Sequence, residues 1–484
     1  MSLCAANYLR RTLQARAEFY TPVVMAEVFD RPIDARPGAV VLLGPERGLR
    51  ARCEQLGIPC WSIADSDGSS LGRSTRLRSA ARQAPAELDL VVTGPDGAAA
   101  TPVFIAVGMT VRSTMRNAMA AFAATIEVGA GNAGVRADAI SAGGVQGRKI
   151  SSAGMSAAGV ARRGGRILRG FGFSRMWRVG VLDGASLEDV GGSGPLPVSW
   201  IEAGSIGLFW ADPFPVIDDD GRTWVFVEEY ERTRGLGQIA ALRIESRRVA
   251  ERIVVLQTEH HLAFPQAMRS GGGWVATADT CESPTPLFTF THPGAQWRKM
   301  PGRYLPTGVV DPQLADGPSG WVVAGTDRRY DGQSVARVWR RGGGSPQDWM
   351  LEPSGSYVDI RYARSGGSLD LRRNVRAVQD CAGNYGMAVS LIESPPGLAD
   401  STQSRLRRLE PTSLVDERQQ LASPLGVHTL AWTPDASFIV VDGWWRFPHP
   451  LSAYWRMRER AHHRICAPAG ADCGSGVWEK DPQS

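Results

Sequence analysis

Carboxylate and imidazole side chains recur at similar places in the second half of the sequence. Asp212 and Asp311 each precede a proline, in the segments ADPF and VDPQ. His428 lies at a similar place in the segment VHTL. Carboxyl groups with separated pKa values perform general acid and base chemistry, and histidine exchanges protons near neutral pH. Brought together from distant parts of the chain, these residues would form a pocket that binds or processes a polar ligand.

The same side chains belong to a pattern that occurs five times. Each copy has a small or apolar residue, a polar or proline-containing pair, a short apolar run, a Gly or Asp turn and an apolar strand. The copies start 47 to 67 residues apart, close to the length of a four-stranded propeller blade with its loops. We therefore predict a five-bladed β-propeller, with copies at 211–229, 263–279, 310–327, 377–391 and 427–443.

The inner strand of each propeller blade lines a central channel, so the starts of the copies should converge on one funnel. The funnel residues predicted in this way are Asp212, His261, Asp311, Gln379, Asp380 and His428. Aspartates also close turns, and we interpret DDDG at 218–221 and DG at 442–443 as hairpin turns. Asp218, Asp219, Asp220 and Asp442 then have structural roles.

Several motifs, taken in order, resemble those of a known propeller family. They are FWADPFPV, WVFVEEY, GLGQIAAL, HHLAFPQ, VDPQL, QDCAGNYG and GVHTLAW, within about residues 176–447. The family is the N-terminal propeller of plant glucosamine inositolphosphorylceramide transferases, which also occurs in bacterial proteins behind a formyltransferase-like domain. Its propeller is similar to that of glycoside hydrolase families 43, 32 and 68, so the resemblance implies carbohydrate chemistry or recognition.

The resemblance also implies roles for individual carboxylates. Asp212 matches the first-blade aspartate that acts as general base or nucleophile in those hydrolases, and Asp311 matches a later aspartate that orients the site. Cleavage also needs a protonated carboxylic acid. The candidates for that acid are Glu228, Glu229, Asp279 and Glu282; we assign catalysis to Glu229 and substrate binding to Glu228 and Asp279.

The remaining predicted contacts are polar groups suited to sugars. His261 and His428 would hydrogen-bond hydroxyl groups, Arg376 would pair with a phosphate or carboxylate of the glycan, and Gln379 and Asp380 would complete the pocket. Either histidine could equally be a satisfied core residue. We predict no metal and no cofactor, since the grouping of His462, His463, Cys466 and Cys473 fits no standard zinc module.

The first third of the chain differs from the rest in composition. Residues 1–175 hold 22 Lys and Arg against 13 Asp and Glu, all seven histidines lie at or beyond His260, and Trp61 alone of 15 tryptophans precedes Trp177. The apolar runs 39–43, 60–63 and 88–93 predict a small Rossmann-like α/β domain at 1–128. We interpret it as formyltransferase-like and, because it has no histidine, non-catalytic. A Gly, Ala and Arg-rich linker at 129–175 and a basic tail at 448–484 flank the propeller at 176–447.

Taken together, these features predict a mainly β, carbohydrate-active protein of cell-surface glycan or glycolipid biosynthesis. It would bind a sugar in the funnel and transfer or trim it. The alternatives are a family-43-like glycoside hydrolase and a non-enzymatic interaction propeller. Seven scattered cysteines without a C-x-x-C pair favour the cytoplasm. The composition gives no sign of a nucleic-acid partner, and the basic tail is a candidate contact for a membrane or a glycosyltransferase.

Overall fold

A computed structural model describes most of the propeller and parts of the preceding region. Within the residues described, no helix has the length and apolar character needed to cross a membrane. The chain divides into two compact units, of which the second holds the propeller. The described residues are 23–25, 39–42, 55, 60–65, 87–93, 100–106 and, apart from short gaps of which 394–406 is the longest, 173–448. Residues 129–172 of the predicted linker, the tail beyond 448 and its His and Cys residues lie outside these ranges, whereas 173–175, predicted as the end of the linker, belong to a propeller strand, Phe173–Leu182.

The first unit contains a five-stranded sheet in the order β1-β2-β3-β4-β5. Strands β1 to β3 pair in parallel, whereas β4 and β5 are antiparallel. Parallel neighbours need a crossover connection. Most residues between β2 and β3 lie outside those described, so the α/β assignment stays a prediction. The strands are β1 Val23–Met25, β2 Ala39–Leu42, β3 Cys60–Asp65, β4 Glu87–Thr93 and β5 Ala100–Ala106.

The second unit is the predicted five-bladed propeller, each blade an antiparallel sheet of four strands. Blades 1 to 3 follow in chain order. Blade 1 comprises β8 Leu208–Ile217, β9 Thr223–Glu231, β10 Leu236–Glu245 and β11 Arg248–Leu256. Blade 2 comprises β12 Leu262–Ser270, β13 Gly273–Thr280, β14 Pro286–Phe290 and β15 Arg298–Tyr304. Blade 3 comprises β16 Val309–Gly317, β17 Gly320–Asp327, β18 Val335–Arg341 and β19 Trp349–Val358.

Blades 4 and 5 complete the ring, and a single parallel bridge between Gly367 and Leu430 joins their inner strands. Blade 4 comprises β20 Arg364–Asp370, β21 Val375–Asp380, β22 Ala388–Glu393 and β23 Arg407–Leu409. Blade 5 combines both ends of the propeller: β25 Leu430–Trp432 and β26 Ile439–Pro448 pair with β6 Phe173–Leu182 and β7 Leu196–Ile201. A short strand, β24 Leu414–Asp416, adds to β7 in parallel.

The fourth repeat was predicted in the wrong phase. The copy at 377–391 covers β21 and β22, the second and third strands of blade 4, while the inner strand is β20 with the sequence RSGGSLD. This strand has no proline to match those in the inner strands of blades 1 to 3. Gly367 has a φ of 131°, and a Cβ there would collide with the backbone of Leu430. Gln379 and Asp380 therefore lie one strand away from the funnel wall.

The core lies between the blades, where large side chains from facing sheets meet. Between blades 1 and 2, Phe226, Phe290 and Trp297 pack edge-to-face and in stacks, with ring centroids 5.2 to 5.7 Å apart. Each blade is covered on both faces, so a strand such as β9 is buried along nearly its whole length. The apolar run TWVFV then continues into Glu228 and Glu229, which carries two carboxylates into the buried region.

Candidate functional site

Three inner strands bulge at the same point, and these bulges aim side chains at the centre of the propeller. Asp212, Phe264 and Asp311 have φ values of 49°, 50° and 48°, each directly before a proline and within a break of strand register. A left-handed backbone at a residue other than glycine costs about 1–3 kcal/mol. Bulges redirect side chains, and here two of the three redirected residues are buried aspartates.

Asp212 joins three blades. Its carboxylate accepts hydrogen bonds from the Phe264 backbone N–H at 3.1 Å and from the Thr429 hydroxyl at 2.9 Å. Burial raises the pKa of Asp212, and Asp442 adds to the rise, while the nearby His428 opposes it. Because its partners come from blades 2 and 5, Asp212 supports closure of the ring as well as the chemistry of the funnel.

His428 lies between two carboxylates. Its Nδ1 is 2.5 Å from Asp442 Oδ2, and its Nε2 is 3.3 Å from Asp212 Oδ1. Trp177 stacks on the imidazole, with ring centroids 3.9 Å apart. Burial alone would lower the pKa of His428, but Asp442 and Asp212 outweigh it and the pKa is raised. Both ring nitrogens face acceptors, so the geometry suits a doubly protonated imidazolium.

Asp442 is a site residue, which corrects its interpretation as part of a turn. It lies within β26, opposite Val179 of β6, and is fully buried. Its carboxylate accepts the backbone N–H groups of His428 and Thr429, both at 3.0 Å. Gly443 follows it because a Cβ there would meet Trp200, so packing and not a turn explains the Asp-Gly pair.

One group of side chains could hold a metal ion by residue type. Ligand atoms of Asp212, His428 and Asp442 all lie within 4.8 Å of one another. A metal-bound histidine must present an unprotonated nitrogen to the ion, whereas both nitrogens of His428 face carboxylate oxygens as hydrogen-bond donors. The imidazolium thus supplies the positive charge that these two carboxylates require, and the prediction of no metal stays a prediction.

Glu228 completes the acidic cluster. It pairs with Ala211 across β8 and β9, which places it beside the first bulge. Its pKa is raised well above the usual value by burial and then by the charges of Asp212, Asp311 and Asp442. Burial and the neighbouring carboxylates thus favour the protonated form of Glu228.

Asp311 forms a buried ion pair on the other side of the funnel. Its Oδ2 lies 2.7 Å from Arg364 Nε, and both side chains are buried. Burial raises the pKa of Asp311 to about 7, because it exceeds the stabilisation of the carboxylate by Arg364. The Arg364 guanidinium also lies 4.7 Å from the ring centre of Tyr385. Arg364, from the start of β20, was not among the predicted site residues because blade 4 was read one strand late.

Glu229 lies on the opposite face of β9 from Glu228, since successive strand residues alternate. It forms an ion pair with Arg252 and accepts hydrogen bonds from Trp210 Nε1 at 2.9 Å and Gln238 Nε2 at 2.7 Å. Burial would raise its pKa, but these partners, Arg252 first, lower it. The structure therefore places Glu229 in the interior of blade 1 and Glu228 in the funnel.

Other predicted residues also lie in the blades. Arg376 is buried against Gln313 Oε1 at 2.6 Å and Ser365 Oγ at 3.1 Å, where it links blades 3 and 4. Gln379 donates to the Ser365 carbonyl at 2.6 Å, and Asp380 pairs with Arg408. None of these three contacts involves the bulged strands of blades 1 and 2.

The remaining predicted residues lie at the edge of the funnel or beyond it. Asp279 pairs with Arg328 at 2.7 Å. It also lies near enough to Asp311 to raise the pKa of Asp311. His261 approaches Glu228, with Nε2 3.7 Å from Oε1. Glu282 is held by Lys299 at 2.8 Å on a partly exposed surface.

Some solved structures are similar to part of this chain at low sequence identity. A family 43 β-xylosidase/α-arabinofuranosidase from a compost microbial metagenome, in its calcium-free form with xylotriose, is 9% identical over 51% of this chain and 93% of that chain, with a TM-score of 0.33. A family 130 structure, from work on hydrolases that target β-1,2 mannosidic linkages in Candida mannan, is 10% identical over 49% and 84%, with a TM-score of 0.30. Trypanosoma rangeli sialidase with the inhibitor DANA is 10% identical over 58% and 53%, with a TM-score of 0.29. No protein-family model and no curated protein sequence matches the chain.

Proposed function

We propose that the propeller binds a sugar of a cell-surface glycan or glycolipid in its funnel and transfers or trims it, with Glu228 as the proton donor. The observation that supports this is the position of Glu228, a buried glutamate beside the first bulge whose pKa is raised by burial and by the charges of Asp212 and the other carboxylates. Cleavage of a glycosidic bond needs carboxyl groups held in different protonation states. Such an arrangement is costly to build in a protein interior, which favours a catalytic use for it.

The second carboxyl in this mechanism is Asp311. Glu228 gives its proton to the leaving glycosidic oxygen as the bond from that oxygen to the anomeric carbon breaks. A hydroxyl oxygen attacks the anomeric carbon and gives its proton to the Asp311 carboxylate, which Arg364 holds in place at 2.7 Å. Asp212 is fixed by blades 2 and 5, and its charge favours the protonated form of Glu228.

The source of the attacking hydroxyl separates the two enzymatic possibilities. Water as the attacking group gives glycoside hydrolysis, and a sugar hydroxyl gives transfer. The same protonated Glu228 supports both, so hydrolysis is the second candidate function. Aryl arabinofuranosides and xylosides, supplied with and without acceptor sugars, distinguish them by the ratio of free sugar to transfer product.

Glu228→Gln tests the proposal because the glutamine amide keeps the size of the protonated acid and a hydrogen-bond donor but has no acidic proton to transfer. We expect wild-type protein to bind members of a glycan array and turn over a glycoside. The variant should keep binding and lose turnover by about 10²-fold or more. Glu251→Gln, on the exposed edge of blade 1 beside Arg243, is the matched control and should behave as wild type. Absence of both glycan binding and turnover in the wild type would favour the interaction propeller instead.

A cytoplasmic location belongs to the same proposal. It rests on the seven scattered cysteines of the sequence, which have no C-x-x-C pair. A membrane or glycosyltransferase contact through the basic tail is the accompanying proposal for assembly. Fractionation of cells that express the tagged chain, with and without residues 449–484, would test both.

A further inference from the structure

One pair of side chains at the funnel edge has a geometry that the proposed function does not yet use. His261 Nε2 and Glu228 Oε1 are 3.7 Å apart, beyond hydrogen-bond range of each other. A single oxygen atom about 2.8 Å from each would bond both, since O–H···O and N–H···O distances fall in that range. Both side chains keep some exposure, 16% for His261 and 10% for Glu228, so a ligand atom can approach them.

The tautomer of His261 is fixed by the backbone. The Gly237 N–H donates to His261 Nδ1 at 2.9 Å, so Nδ1 carries no proton and Nε2 carries the ring hydrogen. Nε2 is therefore a donor directed at Glu228. The other member of the pair, Glu228 Oε1, is an acceptor, because a carboxyl oxygen keeps lone pairs whether or not the group is protonated.

Gly237 allows this approach. It lies in β10 opposite Tyr230, and a Cβ on it would lie 2.8 Å from Glu228 Oε1 and 3.0 Å from His261 Cε1, as well as against the Leu262 carbonyl. Any other residue would push the acid and the imidazole apart. Three positions far apart in sequence thus cooperate to hold one donor beside one acceptor.

We infer that His261 Nε2 and Glu228 Oε1 form a clamp for one neutral hydroxyl group of the ligand, with Gly237 as its positioning residue. A hydroxyl both accepts from the N–H and donates to the carboxyl oxygen. An ammonium group has no lone pair for His261, and a methyl ether has no hydrogen for Glu228 Oε1. The clamp therefore selects an unmodified hydroxyl, and it deepens the proposed function by assigning a polyol character to the ligand at this position.

The test combines a measurement on the free protein with one on binding. In the full chain labelled with 15N-histidine, the His261 ring should show unprotonated Nδ1 and protonated Nε2, and Gly237→Ala should abolish this pattern. Glycerol, a bare hydroxyl probe, should shift the His261 signal at high concentration and leave its exposed neighbour His260 unchanged. A ring protonated at Nδ1, or a His261 signal that glycerol does not move, would overturn the clamp whatever the glycan results.

Variants at His261 then separate the clamp from the wider proposal. His261→Gln keeps an N–H donor and should retain glycan affinity, whereas His261→Phe should weaken it by about tenfold, the value of one hydrogen bond of about 1.4 kcal/mol. His260→Gln is the matched control. Equal affinity for the Phe variant and wild type would refute the clamp while leaving glycan binding intact. A glycerol response at His261 with no glycan bound by the wild type would refute the proposed function and keep the clamp.

Discussion

Glu228 and Glu229 are neighbours on one strand, and both are almost completely buried, yet their pKa values are shifted in opposite directions. Glu228 faces the funnel among other carboxylates, and its pKa rises well above the usual value. Glu229 faces the blade interior against Arg252, Trp210 and Gln238, and its pKa is lowered. Burial is common to both, so the identity of the partners decides the charge. The face of β9 toward the blade interior stabilises a charged glutamate, and the face toward the funnel favours a protonated one.

The largest effect should come from removing the cation on the funnel side. His428→Ala leaves Asp212 and Asp442 buried without the imidazolium between them, and breaking a buried pair in this way costs about 3–5 kcal/mol. Urea unfolding of the purified chain would measure it. A loss below about 1 kcal/mol would show that His428 is not charged in the folded protein.

On the blade side, Glu229→Gln should cost about 1.5 kcal/mol, the lower end of the range for a hydrogen bond to a charged group, because Arg252 is 40% exposed. The same unfolding assay gives this value. If Glu229→Gln left the free energy of unfolding unchanged, the contrast between the two faces of β9 would disappear.

The pH dependence of the free energy of unfolding should be set by the titratable groups of the funnel. Asp311 has an unfolded pKa near 3.8 and a folded pKa of about 7, so the folded protein holds the extra proton between these values and stability falls as pH rises through them. The raised pKa of His428 extends the fall above pH 6.5. We expect a lower Tm at pH 8 than at pH 5, measured by calorimetry. Asp311→Asn should flatten the profile between pH 4 and 7, and an unchanged slope would contradict the assignment.

The smallest change in stability is expected for Glu228→Gln, at about 1 kcal/mol or less, because a neutral amide of the same size replaces a glutamate whose neutral form its surroundings favour. Set beside Glu229→Gln in one unfolding series, it gives the contrast directly. A larger loss at Glu228 than at Glu229 would mean that Glu228 is ionised.

Much of this arrangement could be predicted from the sequence, and the failures have physical causes. The recurring Asp-Pro and Phe-Pro steps predicted blades 1 to 3 because each marks a bulge in an inner strand. Blade 4 was shifted because β20 replaces that step with glycines, which the close approach of Leu430 requires. Because of this shift of one strand, Arg364 was not predicted as a site residue, and Gln379 and Asp380 were predicted to line the funnel.

The choice between adjacent residues was harder still. The sequence placed two glutamates at the end of β9, but only the register against Ala211 and Trp210 decides which one faces the funnel. Asp442 was interpreted as a turn because Asp-Gly is a common turn pair, whereas the glycine is there for packing against Trp200. Local composition indicates where charges occur; strand alternation and packing between blades decide what they face.

Blade 5 is built from both ends of the propeller, and this also determines when the funnel is completed during folding. Strand β6 pairs with β26 across more than 250 residues, from Leu182 with Ile439 to Phe173 with Pro448, and the Thr429 hydroxyl reaches Asp212 over 217 residues. Contacts of such high contact order form late, because the loop entropy must be overcome before they stabilise anything. During synthesis, blades 1 to 3 can assemble as they emerge from the ribosome, but the funnel remains open until β26 arrives. The acid at Glu228 thus acquires its buried surroundings last, in the same event that joins the two ends of the ring.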